Sequence, residues 1–243
     1  EIIKSVFKSI GANTSKVEFI KGSNFQLKKE YILDLLHLSG EITLKRSKRA
    51  GSEVVRFKED PKLGGFIYPI MQILDPIYLK ADVCFSGLDQ RGIYMLGREV
   101  LPKFKFRTLT CIFTPLLPGL DGGKMSASDT KGKINLLDTK KEIFSKINKA
   151  YCPSGELKNN GVLAFVKHVI FPLRGKLTIK RPTRYGGDLE FDSYEEFETS
   201  FIKKNVHPAD LKEQLGKEIN SILKPVRVYM KGKHKIIEKA YPK

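Results

Sequence analysis

A chain of 243 residues, 41% hydrophobic and 29% charged, holds enough apolar material for one large domain or two modest ones, and its composition excludes wholesale disorder. Its 44 lysines and arginines against 27 aspartates and glutamates give a net charge of +17 and a pI near 9.7, which points to a polyanionic partner, nucleic acid or an acidic membrane surface. No apolar run approaches the ~18–20 residues of a membrane span, no signal-peptide pattern opens the chain, and three distant cysteines (Cys84, Cys111, Cys152) with four scattered histidines form no metal-ligand spacing. The expectation is free thiols, no metal site, no membrane and a reducing, cytoplasmic setting.

In chain order, Glu1 to Gly11 reads as a helix already in progress: Ile3, Val6, Phe7 and Ile10 fall at helical spacing and Gly11 stops it. No start methionine or cap precedes it, so residues are expected upstream. The segment KVEFIKG (16–22) predicts a short strand. From Leu27 to Leu38, Tyr31, Leu35 and Leu38 repeat at i, i+4, i+7 and predict a helix. Residues 45–62 are polar and basic, with helical character around Glu53–Phe57. Tyr68 to Leu74 predicts a short helix with Pro69 at its first position, where a missing N–H costs nothing. Asp82–Ser86 predicts a buried strand, and Gly87 turns it into a helix from about Asp89 with Ile93, Leu96, Gly97 and Val100 on one face. Arg107–Thr114 predicts a second strand with Leu109, Cys111 and Phe113 inward. Strands alternating with helices imply a mostly parallel α/β sheet.

After Gly119 a Gly/Ser/Lys loop runs to about residue 133, and from Asp138 the pattern becomes helical. Ile143, Ile147, Ala150 and Tyr151 make one face, Val162, Phe165, Val166 and Val169 another, and Leu211, Leu215, Ile219 and Ile222 a third. A domain boundary is expected near residue 137. Basic residues outnumber acidic ones on both sides of it, so a polyanion is expected to touch both parts.

Four motifs carry chemistry. Gly122-Gly123-Lys124-Met125-Ser126-Ala127-Ser128 joins a glycine turn to an ammonium and small hydroxyls, a composition that wraps phosphates. It is not a Walker loop, because Pro118 stands where a glycine is required and Met125 replaces the Ser/Thr; by composition alone it reads more readily as a solvated loop. Tyr68, Gln72 and Asp75 at i, i+4, i+7 share one helix face, offering a phenol, an amide and a carboxylate to a small molecule or simply forming a polar stripe. Asp89 and Gln90 follow a strand end, where ligands bind in open α/β sheets; a helix N-cap explains Asp89 as well, but not Gln90. His207-Pro208-Ala209-Asp210 opens a helix whose dipole favours Asp210. The tail from Tyr229 is a lysine-rich, solvated or phosphate-contacting face.

Together these residues resemble the tyrosyl-tRNA synthetases, a class I aminoacyl-tRNA synthetase family, in their archaeal/eukaryotic form. YPIMQILD (68–75), DVCFSGLDQR (82–91), LLPGLDGGKMSASD (116–129), NNGVLAF (159–165), RYGGDL (184–189) and VHPADLK (206–212) stand in the family's order and spacing. KMSAS is a variant of KMSKS; alone it also fits tryptophanyl-tRNA synthetases, whereas YPIMQ with GLDQR and HPADLK points to tyrosine. The resemblance implies an α/β fold: residues 1–137 as the second half of a Rossmann-like catalytic domain with its connective insertion and KMSAS loop, and 138–243 as an all-α anticodon-binding domain. It implies that Tyr68, Gln72 and Gln90 hold the ammonium and carboxylate of tyrosine and that Asp75 accepts its phenolic hydroxyl. Asp89 is implied at the ATP ribose, and Lys124 and Met125 with Ser126 and Ser128 at the ATP phosphates as the catalytic loop. Tyr185, His207 and Asp210 are implied at the anticodon, and Arg49 and Arg91 at the acceptor stem. The implied partners are ATP with Mg²⁺ as its complex, L-tyrosine, tRNA(Tyr) and a second copy of the chain, through residues around 25–40.

The family's HIGH-type signature is not among these 243 residues. The resemblance therefore implies that it lies upstream, and that this span alone binds tRNA without forming tyrosyl-adenylate. Two other readings fit part of the pattern: a tryptophanyl relative, and a tRNA-binding protein without aminoacylation. A pure binder needs neither the KMSAS loop nor the YxxxQxxD face.

Overall fold

The computed structural model describes residues 1–123, 125 and 132–233. They form two compact units: Glu18–Leu116, and Glu1–Val17 together with the chain from Leu117 on. The expected boundary near 137 falls inside the second of these. The reason is apolar anchoring, since Leu120 is fully buried in the core of that unit and Ile134 and Leu137 pack against it. The Tyr151 amide donates to the Leu120 carbonyl at 2.6 Å.

In the unit Glu18–Leu116, α2 (Lys29–Glu41), α3 (Leu44–Gly51), α4 (Gly64–Tyr78) and α5 (Arg91–Val100) share a core with one face of a two-stranded parallel sheet, β1 (Val83–Gly87) and β2 (Thr110–Thr114), whose other face, with Val83, Phe85 and Ile112, is exposed. The register pairs Val83 with Thr110, Cys84 with Cys111 and Gly87 with Thr114. The inward positions, buried Cys84 and Leu109 with Cys111 and Phe113, join Tyr31, Leu38, Ile73, Leu74, Ile93 and Val100 in one core. All three cysteines are free, and burial pushes the Cys84 thiol up to about 11. The parallel pair, the α5 crossover and the inward alternation of β2 match the sequence pattern, but β1 is not the buried strand expected: only Cys84 turns into the core, while Val83 and Phe85 face outward.

Three further local expectations fail in the chain up to Leu116. Residues 16–22 form no strand: Val17, Phe19 and Ile20 stay exposed with no strand paired to them, and a 3-10 turn follows at Gly22–Asn24. The basic stretch is helical at Leu44–Gly51 rather than around Glu53–Phe57, because the Thr43 hydroxyl accepts the Arg46 N–H at 3.3 Å and starts the helix there. Helix α4 begins at Gly64, five residues before Pro69, so Pro69 sits inside it. The lost helical bond costs ~3 kcal/mol or more. It is offset by tertiary contact, since the Phe66 ring packs on Phe57 at 5.1 Å and the Phe66 carbonyl accepts from the Ser47 hydroxyl at 2.5 Å.

In the other unit, α1 (Ile2–Ser9) lies on α10 (Pro208–Met230): Ile2 and Val6 meet the core, the Ser9 hydroxyl donates to the Ile222 carbonyl, and the Tyr229 hydroxyl donates to the Glu1 carboxylate. Helix α6 (Lys140–Asn148) starts from a complete Thr139/Glu142 capping box. Helix α7 (Gly161–Phe165) continues through a π-helical turn (Val166–Ile170) into α8 (Phe171–Arg174). Helix α9 (Tyr194–Ile202) supplies Phe197, whose ring meets Phe191 at 5.5 Å, edge to face. This part is helical as expected, with one addition. Strands β3 (Leu177–Ile179) and β4 (Leu189–Phe191) form a short antiparallel ribbon, too brief for period-2 alternation to register in the sequence.

Small residues set the helix spacing around the parallel sheet. A methyl group added at Gly92 would lie 2.7 Å from the Ala50 carbonyl oxygen, a backbone atom that cannot swing aside. Gly92→Ala is expected to force α3 and α5 apart at a cost of about 1–3 kcal/mol, read as a lower thermal midpoint. A midpoint unchanged from wild type would contradict this close approach.

Candidate functional site

The YPIMQILD helix places its polar residues on one face as the spacing requires. Asp75 is half-buried and already engaged. Gln26 Nε2 donates to its Oδ1 at 3.0 Å and lies 3.2 Å from Oδ2, and the Tyr31 hydroxyl donates to Oδ1 at 2.7 Å. One turn earlier, Gln72 Nε2 donates to Gln90 Oε1 at 2.8 Å. The other end of that amide, Gln72 Oε1, is shielded from solvent and has no hydrogen-bond partner among the described residues. A buried acceptor without a donor is costly, ~1–3 kcal/mol, and its chemistry suits an incoming N–H or ammonium. Tyr68 completes the face, 43% exposed. Burial, then the Asp89 and Asp75 carboxylates, raise its phenol above the usual range. Tyr94, on α5, borders Gln72 and is raised by burial. The structure thus brings together Tyr68, Gln72, Asp75, Gln90 and Asp89.

Asp89 sits in a 3-10 turn (Leu88–Gln90) between β1 and α5 and caps neither helix with its side chain. Its carboxylate folds back over Gly87, where an added methyl would be 2.5 Å from Asp89 Oδ1. The glycine therefore keeps the strand end open for the carboxylate. Arg49 and Arg91 are both exposed. Lys124, Ser126 and Ser128 lie outside the described residues; Met125, half-buried, is described. The preceding turn is ordered by the Gly119 amide, which donates to the Gly123 carbonyl at 2.7 Å, and by the Gly123 amide, which donates to Asp121 Oδ1 at 3.0 Å.

In the mainly helical unit, His207 is the N-cap of α10: its Nδ1 accepts the Ala209 N–H at 3.2 Å, and Pro208 fills the first helical position. Asp210 lies in the first turn, where the dipole favours it. Tyr185, 59% exposed, ends a 3-10 turn (Thr183–Tyr185), with the Arg184 guanidinium 4.9 Å from its ring. Gly186 and Gly187 follow with φ of 92° and 75°, a left-handed pair that reverses the chain. Asp188 ties the loop by accepting from Lys180 Nζ at 2.6 Å and the Arg181 amide at 3.1 Å. Arg181 donates to the Gly187 carbonyl at 2.6 Å and the Asn205 carbonyl at 3.4 Å, linking the Tyr185 loop to the segment before His207.

Sequence reasoning missed Gln26, Tyr31 and Arg181. Tyr31 reads as one apolar position of an amphipathic helix, and nothing in a 3.6 period distinguishes a tyrosine whose hydroxyl meets a distant carboxylate. Gln26 precedes α2 in a turn with no pattern of its own. Arg181 was visible only as one charge in a basic cluster.

A family model described as tRNA synthetases class I (W and Y) matches residues 2–224. The tyrosine–tRNA ligase of Haloarcula marismortui is 47% identical over 244 residues, covering 99% of this chain and 70% of that protein. The cytoplasmic tyrosine–tRNA ligase of Danio rerio is 41% identical, with 100% of this chain and 46% of that protein covered. Among solved structures, Archaeoglobus fulgidus tyrosyl-tRNA synthetase complexed with L-tyrosine superposes at a TM-score of 0.87 with 41% identity, over 93% of this chain and 70% of that one. The Pyrococcus horikoshii enzyme, also complexed with L-tyrosine, gives 0.90 with 27% identity, over 98% and 72%. With the match running through both compact units, the chain belongs to the class I tRNA synthetases of the W and Y type.

Proposed function

We propose that this chain is a tyrosine–tRNA ligase, activating tyrosine with ATP and transferring it to tRNA(Tyr). The observation that carries the reading is the α4 face: a carboxylate furnished with donors at Asp75 and a buried amide oxygen without a donor at Gln72, one helical turn apart. Relatives at 40–47% identity over nearly the whole chain support it. In this reaction the tyrosine carboxylate attacks the α-phosphorus of ATP, the bond to the bridging oxygen breaks, and pyrophosphate leaves. The adenylate then esterifies the 3′ end of tRNA and releases AMP.

Tyr68, Gln72 and Gln90 hold the ammonium and carboxylate ends of tyrosine, the orphan oxygen of Gln72 accepting from the ammonium. Asp75 accepts the phenolic hydroxyl. Asp89, free of any capping duty, takes the ribose hydroxyls. Lys124, Met125, Ser126 and Ser128 close on the phosphates, where the ammonium neutralises charge that grows as pyrophosphate departs. Mg²⁺ arrives as the ATP complex and supplies further neutralisation of the phosphates. Tyr185 stacks on an anticodon base, His207 and Asp210 hydrogen-bond there, and exposed Arg49 and Arg91 contact the acceptor stem. The +17 charge fits tRNA as the polyanion.

A homodimer through the α2 region is supported by its outward leucines, Leu33 and Leu36, exposed at 44% and 61%. No helix among the described residues is long and apolar enough to cross a membrane. The cytoplasm, where tRNA is charged for translation, is the setting that fits this activity.

Tyrosine-dependent ATP–pyrophosphate exchange by the full-length protein tests the reading. Lys124→Ala is expected to slow exchange about a hundredfold, the usual cost of one lost transition-state contact; an unchanged rate would remove Lys124 from the reaction. Asp75→Ala should lose at least about tenfold of the preference for tyrosine over phenylalanine, the value of one hydrogen bond to a charged group. If the variant rejected phenylalanine as strongly as wild type, another residue would be selecting. Asp210→Ala should weaken charging of normal tRNA more than charging of a tRNA altered at the first anticodon base, because a carboxylate accepts both N–H groups of guanine and of no other base. Equal losses on the two tRNAs would reduce Asp210 to a helix-dipole acid.

A further inference from the structure

We infer that Gln26 and Tyr31 are positioning residues that hold the Asp75 carboxylate pre-aimed with one acceptor site open, so that only a hydroxyl donor completes its hydrogen bonding. The inference rests on the reading of Asp75 as the acceptor for the tyrosine phenol, and says what makes that acceptor selective.

A carboxylate offers about four lone-pair sites. Oδ1 of Asp75 receives the Tyr31 hydroxyl at 2.7 Å and the Gln26 amide at 3.0 Å, while the same amide reaches Oδ2 only at 3.2 Å. Oδ2 is therefore the oxygen with capacity left. The two donors come from outside α4, one from α2 and one from the turn before it, so the carboxylate is fixed from two elements rather than by its own rotamer. Tyr31 is fully buried, its ring edge-on to Phe25 at 5.8 Å and to Tyr78 at 4.9 Å, and has no room to swing its hydroxyl away. Its oxygen also lies 3.1 Å from the Met71 carbonyl, but the shorter contact to a charged acceptor takes the proton. Burial, reinforced by the Asp75 hydrogen bond, raises the Tyr31 phenol far above the usual range, so it stays a donor.

Gln26 is held in turn by the backbone. A methyl on Gly22 would lie 2.5 Å from Gln26 Oε1, so the amide rests flat on a glycine that leaves it space. With its oxygen against Gly22, its NH₂ faces Asp75. The finished arrangement has a chemical consequence. A ligand that ends in C–H opposite Oδ2 strips water from an anionic oxygen and returns nothing. A phenolic hydroxyl restores the bond.

The test is pyrophosphate exchange by the full-length protein with L-tyrosine and with L-phenylalanine. Tyr31→Phe removes one oxygen and keeps the ring packing; Gln26→Leu removes the amide donor. Each is expected to raise KM for tyrosine about tenfold and to cut the tyrosine/phenylalanine ratio by a similar factor, with KM for ATP unchanged. Gln26→Glu gives a signature that loss of packing would not. A carboxylate pair shares a proton at low pH, and that proton replaces the amide donor; as pH rises the pair loses it. KM for tyrosine in this variant should rise with pH relative to wild type assayed at the same pH, a comparison that cancels the titration of the substrate's own ammonium. Among the described residues, the titratable groups facing Asp75 are the phenols of Tyr31, Tyr68 and Tyr94, all raised by burial and hence protonated at neutral pH. Gly22→Ala, which displaces the amide without touching the core, keeps the test open should Tyr31→Phe fold poorly. KM values and ratios within twofold of wild type in these variants, with Asp75→Ala losing its preference, would overturn the positioning role alone. An equal rise in KM for ATP would overturn it as mere damage to the fold. Asp75→Ala retaining full preference would instead sink the reading beneath it.

Discussion

A half-buried carboxylate has to be satisfied, and the unit built around Asp75 is organised by that requirement. A buried charge without partners costs several kcal/mol, so α4 cannot carry Asp75 inward unless donors meet it. Gln26 and Tyr31 do so across 49 and 44 residues of chain. Bringing α2 close enough for that contact buries Tyr31 between aromatic rings and commits Leu38 to the same core. A second phenol–carboxylate contact, Tyr78 to Asp34 at 2.6 Å, bonds the same two helices. Polar contacts that a binding face needs thus also fix the helices that present it.

Small residues give the other helices their approach. Gly92 lets α5 come against the Ala50 carbonyl of α3, and Gly97 leaves room on α5 for the Ile73 side chain of α4, which an added methyl would meet at 2.9 Å, so both contacts are closer than any larger residue would allow. That closeness lets Gln90, at the N-terminal end of α5, reach Gln72 on α4. A site made from two helices needs their separation held to a few tenths of an ångström. Glycine at the contact does this more rigidly than any flexible side chain would.

How much of this was legible follows from what sequence patterns record. Period-3.6 spacing put Tyr68, Gln72 and Asp75 on one face, and alternation oriented β2 correctly, because both are local properties of the backbone. The start of α4 departs from the pattern because Pro69 is a strong local signal, while the Phe66 contacts that extend the helix ahead of it come from Phe57 and Ser47, nine and nineteen positions away. Residues 16–22 alternate like a strand but have no partner to pair with, and pairing is not written in a single segment. Tyr31 and Gln26 were invisible for a related reason: their significance lies in a carboxylate more than forty residues on. The resemblance located the motif residues; it did not say what holds them.

The residues proposed for the anticodon show how a local role and a functional one can share a side chain. His207 caps α10 through Nδ1, which fixes the tautomer: Nδ1 accepts, so Nε2 carries the proton and faces outward as a donor. The cap thereby prepares a hydrogen-bond donor beside the helix start. Asp210 has the opposite character. On a chain of net charge +17, set next to a polyanion, a carboxylate in the first turn gains a little from the helix dipole, about 0.3–1 kcal/mol, but repels phosphates. Base edges are the part of a nucleic acid that rewards it, because ring and exocyclic N–H groups are donors and phosphates are not. In the tRNA complex proposed above, an acid held at that helix start steers the strand, backbone away and bases inward, and leaves the exposed Tyr185 ring to stack on a base.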